Sequence, residues 1–496
     1  MSVFTFKEFK KLSKRGNLVA LRLEIPSDLE TPVSAFLKLQ GGESCAFLLE
    51  SAEQEERLGR YSFLGFDPEK VVIARGGEVL LKEKNRATSF SHGNKQDVLQ
   101  AVRKIISHYR LANPEGLPSF AGGFVGFLGY ENVQLFERVK LKKKNGLHLD
   151  DSVFFLIKDF LIFDHFRKKL TLISLAETDE RPLKKSYEAS IRRLKNMETK
   201  LQKSLKGAHQ IERHIKNSKP FNSNITRPEF KKRLERIKKY ITAGDCIQVV
   251  FSQRFHLGHI ENDFEIYRHL RSINPSPYMF YFRHGSLRLI GSSPELLVKK
   301  SGRIVDVRPI AGTRIRGKTP GEDAKLEANL TRSVKEMAEH LMLVDLGRND
   351  LGRVCKFNSI RVKDFARVER YSHVMHLVSS VTGHLKEGKD AFDLLRATFP
   401  AGTVTGAPKI RAMEIIDELE PETRGPYAGS LGYFSFTQDM DMCLMIRTLM
   451  VVNGEAYVQA GAGVVYDSHP DREYEETLSK AKALMQAVRG RDEGGD

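Results

Sequence analysis

LMIRTLMVVNGEAYVQAGAGVVY, residues 444–466, is dominated by apolar and β-branched side chains and reads as strand. Two further runs of the same kind precede it, CIQVVFSQRF at 246–255 and YMFYFR at 278–283. Helical segments alternate with these strands near 228–243, 320–344, 390–397, 408–419 and 471–489. Earlier in the chain, CAFLLES, KVVIARGGEVLLK and SVFFLIKDFLIFDHFRKKLTLISL read as strands and hairpins, and a charged helix is expected over 181–205. Such a pattern is α+β with large antiparallel sheets. Between the two halves, QKSLKGAHQIERHIKNSKPFNSN (202–224) is polar, carries Gly, Pro and Asn, and has no apolar periodicity. The chain therefore divides into an N-terminal α+β region at 1–201, a polar linker at 202–222, a C-terminal region at 223–490 and a disordered tail at 491–496. No internal repeat is present.

Two carboxylate pairs share one spacing. Glu336 and Glu339 open the helical segment KEMAEHLMLVDLGRNDLGRV, and Glu473 and Glu476 open REYEETLSKAKALMQAVR. Residues three apart lie on one helix face, so each pair presents two carboxylates in one direction. Acids in a first helical turn are also favoured by the macrodipole alone. Four acids converging in a chain of formal net charge +17 call for a further reason. Oxygen ligands without Cys or His suit a hard cation, most naturally Mg²⁺.

Of the 496 residues, 41% are hydrophobic and 29% charged, a soluble globular composition large enough for two or three domains. Cys45, Cys246, Cys355 and Cys443 are far apart and fit neither metal spacing nor a disulfide framework, which points to buried free thiols in a reducing cytoplasm. The N-terminus MSVFTFKEFKKLSKRGN has no apolar core of a signal peptide, and the most apolar stretch, 154–166, is interrupted by Lys158, Asp159 and Asp164. No membrane partner is expected. The densest basic groups, KLKKKNG (140–146) and KKRLERIKK (231–239), lack interleaved aromatics, so they read as solvated faces and no nucleic-acid partner is expected.

A series of motifs in a fixed order carries a resemblance. They are LLES (48–51), RYSFLG (60–65), GDCIQVVFSQRF (244–255), NPSPYMFY (274–281), GSSPE (291–295), RPIAGTRIRG (308–317), EHLMLVDLGRNDLGRV (339–354), YSHVMHLVSSVTG (371–383), PAGTVTGAPKIRAMEII (400–416), GPYAGSLGYF (425–434) and QAGAGVVYDSHPDREYEET (459–477). Together they resemble the chorismate-utilising enzymes, and within them the large, aminating subunits of anthranilate synthase. The resemblance implies a sheet sandwich with helices packed outside. It also implies a lyase activity, Mg-dependent conversion of chorismate and ammonia to anthranilate and pyruvate, as the first step of tryptophan biosynthesis.

By the same resemblance, Glu339 and Glu476 hold Mg²⁺, with Glu336 and Glu473 in a second layer. Glu295 protonates the departing hydroxyl, and His376 serves the elimination half. Thr403, Tyr427, Arg447, Gly461, Ala462, Gly463 and Lys480 form the substrate-binding set. Arg447 lies on an apolar strand, where an arginine without an anionic partner would be costly to bury. Glycines let backbone N–H groups approach a carboxylate closely. Lys480, four residues after Glu476, could reach the same site or simply form an exposed i,i+4 salt bridge.

Water-adding relatives, the isochorismate and salicylate synthases, carry a lysine base where this chain has Gln248. Ammonia needs no such base, so a hydrogen-bonding amide suffices. Aminodeoxychorismate-forming relatives commonly have lysine at the position of Ala311 in PIAGT. Both positions favour anthranilate, leaving those activities as alternatives. A basic nucleic-acid-binding protein or a scaffold would leave the acid pairs unexplained.

No cysteine stands at a glycine-rich strand-to-helix turn suited to a glutaminase. Either a separate glutamine amidotransferase subunit supplies ammonia or free ammonia is used. Glu50, Ser51, Pro277, Tyr278 and Met279 match the family's regulatory pocket for the inhibitor L-tryptophan: Glu50 for the ammonium, Ser51 for a hydrogen bond, and the Pro/Tyr/Met surface for the indole.

Overall fold

Along Tyr278–His284 the side chains alternate between two apolar surfaces. Phe280 and Phe282 join one cluster, Met279 and Tyr281 another, as the two-residue period of an extended chain requires. A strand apolar on both faces needs cover on both, and this one lies inside a large antiparallel sheet. The computed structural model describes residues 4–42, 44–51, 59–83, 86–89, 97–142, 146–179, 182–205, 221–370 and 374–490. Residues 206–220 of the expected linker segment and the expected tail 491–496 lie outside the described residues.

The first sheet runs in the order Leu18–Pro26, Lys169–Glu177, Asp159–Asp164, Tyr61–Phe66, Cys45–Glu50, Tyr278–His284, Leu287–Ser293, Thr448–Val452, Glu455–Val464, Gln248–His259, Asn222–Ser223, with Gly406–Ala407 also paired to Gln248–His259. The second runs Ile310–Ile315, Val374–His384, Ile304–Val307, Leu296–Ser301, Met440–Leu444, Ser430–Ser435, Gly123–Leu128, Ser152–Ile157, Lys70–Arg75, Glu78–Glu83, Arg86–Ser89, with Arg361–Arg370 on Val374–His384. Each sheet takes strands from both sides of 202–222. The joins are Cys45–Glu50 on Tyr278–His284 in the first and Gly123–Leu128 on Ser430–Ser435 in the second.

Aromatic rings fill the space between the sheets. Phe155 of the second stacks on Phe282 of the first at 4.5 Å, and Phe120 meets Phe47, Phe63 and Tyr433. Burying each such ring contributes roughly 1.5–3 kcal/mol. Helices cover the outer face of the first sheet through Phe9, Phe36, Leu194, Phe264 and Leu484. Arg227–Thr242 and Lys409–Leu419 pack on Val249, Phe251 and Val464. This is the expected α+β fold, a sandwich of large antiparallel sheets with helices outside.

The helical segments expected near 228–243, 390–397, 408–419 and 471–489 form at Arg227–Thr242, Ala391–Thr398, Lys409–Leu419 and Pro470–Arg489. The segment expected over 320–344 is two helices, Pro320–Arg332 and Val334–Gly352. Ser333 leaves helical geometry at ψ 110° and its side chain accepts the Glu336 N–H, ending one helix and capping the next.

The apolar run at 444–466 belongs to both sheets. Met440–Leu444 lies in the second and Thr448–Val452 in the first, and the chain crosses between them with Arg447 at φ 50°. The expected strand position of Arg447 is therefore corrected: it sits in a crossover. A second crossover runs from Leu287–Ser293 to Leu296–Ser301 and carries Glu295. The two are bonded together: Leu444 N–H donates to Glu295 O at 3.0 Å, Ser292 N–H to Arg447 O at 3.1 Å, and Ser293 Oγ to Leu444 O at 2.6 Å.

Candidate active site

Where strands leave one sheet for the other, side chains escape the ladder's two-face rule and can point along the corner. Glu295 does so and is buried. Burial pushes its carboxyl up to about 7, against a hydrogen bond from Thr403 Oγ1 at 2.6 Å and the charge of Lys480. Thr403 lies in the short turn Gly402–Val404. That turn seats directly on Val334–Gly352, because a Cβ at Gly402 would overlap the Leu346 side chain at 1.7 Å.

Both E-x-x-E pairs sit in opening turns, of Val334–Gly352 and Pro470–Arg489. An ion pair from Lys335 to Asp467 at 3.0 Å joins the two openings. Burial, and then the charges of Glu336 and Glu476, raise Glu339; Gln248 Nε2 donates to it at 3.4 Å. Burial and the nearby Glu476 raise Glu473, opposed by a hydrogen bond from Ser468. Glu336 pairs with Arg314 at 2.9 Å and Glu476 with Lys480 at 2.6 Å.

Among the described residues no three His, Cys, Asp or Glu groups form a closed metal cage. The arrangement suits Mg²⁺ nonetheless, since that ion takes one or two carboxylates and fills its remaining positions with water and substrate oxygens. The charge of Glu476 adds to the cost of ionising Glu339, and these two are the pair a dication would relieve.

Arg447 is half-buried; burial pulls its guanidinium below its usual value, opposed by Tyr427 and Glu476, and Nη1 donates to Lys480 O at 2.8 Å. Lys480 Nζ also donates to Gly461 O at 2.9 Å, so it is more than an exposed helix pair. Gly461 and Gly463 are close-approach positions. A Cβ at Gly461 would stand 2.8 Å from Tyr427 Oη, and at Gly463 2.8 Å from Gln248 Nε2. Val250, opposite Gly463, sends its N–H to Thr405 and its carbonyl to Arg424. The pair is thus of the non-hydrogen-bonded kind, and the two-residue period turns the backbone groups of Gly461 and Gly463 towards the opening and those of Ala462 into the ladder with Phe251.

His376 lies on Val374–His384 opposite Thr313. Its Nδ1 sits 3.0 Å from Gly312 O and 3.1 Å from Thr313 Oγ1. Burial lowers its pKa, and Arg447 adds to the effect. A neutral imidazole that donates from Nδ1 to the carbonyl carries its basicity on Nε2. His376, Glu295, Thr403, Gln248, Tyr427, Arg447, the glycine strand, Lys480 and all four glutamates are thus linked by contact or field into one site.

The residues expected to form the regulatory pocket meet elsewhere. Glu50, Ser51, Pro277, Tyr278 and Met279 line one cavity of about 340 Å³, with Lys299 and Asp441 on its wall. The Glu50 carboxylate is held by Tyr267 Oη at 2.5 Å and by Arg271 at 3.1 and 3.2 Å. An ammonium would have to share it.

Sequence reasoning passed over Arg314 and Lys335, the countercharges of the acid cluster, and the buried pair Glu420/Arg424 behind it. Arg314 had a signal, two residues beyond a glycine inside a strand pattern, where Gly312 at φ 60° makes a bulge. Glu420 and Arg424 had only an i,i+4 spacing outside any helix.

Residues 44–486 match the chorismate binding enzyme family, and this chain belongs to it. The anthranilate synthase component 1 of Acetivibrio thermocellus is 42% identical over 98% of both chains, and that of Aquifex aeolicus 44% identical over 98% of this chain and 97% of its own. The crystal structure of anthranilate synthase component I from Streptococcus pneumoniae superimposes with a TM-score of 0.77 at 36% identity, covering 93% of this chain and 99% of the other.

Proposed function

We propose that the chain is the aminating subunit of an anthranilate synthase, converting chorismate and ammonia to anthranilate and pyruvate. One observation carries the reading. At the paired crossovers a buried carboxyl titrating near neutrality (Glu295) feels the charge of Lys480, which also acts on Glu339 and Glu473 at the two helix starts, while a half-buried guanidinium (Arg447) acts on the neutral His376 and itself feels Glu476.

Arg447 pairs with a substrate carboxylate, replacing the water it lost on burial. Glu295 gives its proton to the departing C4 hydroxyl. Ammonia attacks C2 as its own nucleophile, so Gln248 has only to orient it by hydrogen bonding. As the C3–O bond to the enolpyruvyl group breaks, His376 takes up at Nε2 the proton from the aminated carbon, the ring becomes aromatic, and the released enolpyruvate is protonated at its methylene carbon to give pyruvate. Glu339 and Glu476 would hold Mg²⁺, with Glu336 and Glu473 behind them; when bound it supplies positive charge to the ring carboxylate as negative charge develops. Ala311, buried opposite Leu377, offers no amine for the aminodeoxychorismate reaction.

The four cysteines are free and buried, without the exposed, activated setting of a glutaminase nucleophile. A separate glutamine amidotransferase subunit then brings the ammonia, in a cytoplasmic complex. None of the described helices is long and apolar enough to cross a membrane. L-Tryptophan binding in the 340 Å³ cavity inhibits the reaction.

The test is purified chain with chorismate, Mg²⁺ and ammonium, followed by fluorescence and mass. Anthranilate and pyruvate in equal amount are expected, with none from glutamine until a glutaminase partner is added. Isochorismate, salicylate or 4-amino-4-deoxychorismate as product overturns the reading.

A further inference from the structure

Behind the catalytic groups lies a deeply buried ion pair. Arg424 Nε and Nη2 donate to Glu420 Oε2 and Oε1 at 2.9 and 2.6 Å, and both residues are buried. The rest of the guanidinium fork goes to backbone: Nη1 to Val404 O at 2.7 Å and Nη2 to Val250 O at 2.8 Å. Glu420 Oε1 accepts the N–H of Ser252 at 2.9 Å and its hydroxyl at 2.7 Å, and Gln459 Nε2 donates to the same hydroxyl at 2.8 Å. The rings of Tyr130 and Tyr427 lie 4.8 and 5.5 Å from the guanidinium carbon.

Four members of this network belong to the site or lie within two residues of it in sequence. Val404 follows Thr403, Val250 is two residues beyond Gln248, Gln459 is two before Gly461, and Tyr427 is itself in the site. A buried ion pair is a poor investment where stability alone is wanted, because desolvating two charges offsets most of their attraction. What a planar fork of fixed donors does supply is geometry, which a lysine point charge cannot.

We propose that Arg424, oriented by Glu420, is a positioning residue for the reaction above: it sets the mutual spacing of Thr403, Gln248, Tyr427 and the Gly461–Gly463 strand without touching substrate. The proposal rests on the functional reading, and the two fail differently.

Arg424→Lys keeps the charge and loses the fork. With ammonium as nitrogen source, kcat is expected to fall about 100-fold, more than KM for chorismate rises, as for a displacement on the order of 1 Å. A second readout is the alkaline limb of kcat/KM against pH, set by Glu295, whose charged neighbours are Lys480 and, across the adjoining cleft, Arg308 and Asp350. Thr403's hydrogen bond favours the ionised carboxyl, so loosening it raises the pKa and moves the limb to higher pH, towards its position in Thr403→Val. Ser252→Ala removes the hydroxyl's two ties, to Glu420 and from Gln459, but keeps the backbone N–H bond to Glu420, and should lower kcat several-fold with Tm within a few degrees of wild type, which keeps the test open if Arg424→Lys folds poorly. Loss of turnover only in proportion to loss of folded protein, with an unmoved limb in both Arg424→Lys and Ser252→Ala, overturns the positioning role. No aromatic product from the wild type sinks the functional reading itself, and the proposal with it.

Discussion

The cavity beside Tyr278 and the cluster around Arg447 are served by the same two strands, yet they are built on opposite principles. Leu296–Ser301 starts just after Glu295 and carries Lys299 to the cavity; Met440–Leu444 carries Asp441 to it and ends shortly before Arg447. In the cavity most of the walls are strand side chains, and the charges are matched: Lys299 with Asp441 at 3.1 Å, Tyr278 Oη on Asp441 at 3.1 Å, Arg271 on Glu50. At the corner the side chains come from crossovers, turns and helix starts, and carboxylates crowd one another until burial and like charge displace their titration. Matched charge and dense packing suit a receptor for a fixed shape, whereas imbalance held in place suits a site where charge must move.

The largest expected effect falls on the corner alone. Glu339→Ala or Glu476→Ala should lower turnover by at least ~10³-fold, about 4 kcal/mol, as should EDTA, while tryptophan affinity measured by calorimetry in the absence of substrate stays unchanged. Equal loss of both would erase the distinction between the regions. Glu295→Gln should cost roughly 10²–10⁴-fold. In the wild type the acid must carry its proton, so kcat/KM should decline as pH rises past about 7; a profile flat from pH 6 to 9 removes Glu295 as the acid.

His376→Ala should slow pyruvate release by on the order of 10²-fold and slow amination less, leaving an aminated intermediate visible by mass spectrometry. Equal loss of both steps without an intermediate contradicts the assignment. The smallest change belongs to the cavity: Ser51→Phe should weaken tryptophan binding by about tenfold or more, through loss of a packed volume worth ~1.4 kcal/mol or more. Reciprocity requires chorismate to weaken tryptophan in the wild type, and calorimetric titration with and without a substrate analogue measures it.

Local regularities were legible in the sequence, and long-range ones were not. Glu336/Glu339 and Glu473/Glu476 could be placed on helix faces because three-residue spacing is a local signal. Arg447 was assigned to a strand because the apolar run around it is continuous; only the pairing of Met440–Leu444 with one sheet and Thr448–Val452 with the other exposes the crossover. Ser333 looked like a helix residue because propensity differences are small beside the capping bond it forms with Glu336. Glu420 and Arg424 gave no warning, since their partners Val250, Ser252 and Tyr130 lie far away in the chain. The committed carboxylate of Glu50 likewise depends on Tyr267 and Arg271, from a helix more than two hundred residues later.

Strand order also governs what happens while the chain is being made. Gly123–Leu128, apolar and buried throughout in the finished protein, takes Ser430–Ser435 as one of its two neighbours. Translation at ~5–20 residues per second leaves that edge waiting for tens of seconds while roughly three hundred further residues are made. Cys45–Glu50 waits in the same way for Tyr278–His284. An open apolar edge is a template for pairing with a neighbouring chain, so the nascent N-terminal half is the stage at which this protein most needs protection from its own kind. A fragment ending at residue 201 should inherit that hazard permanently.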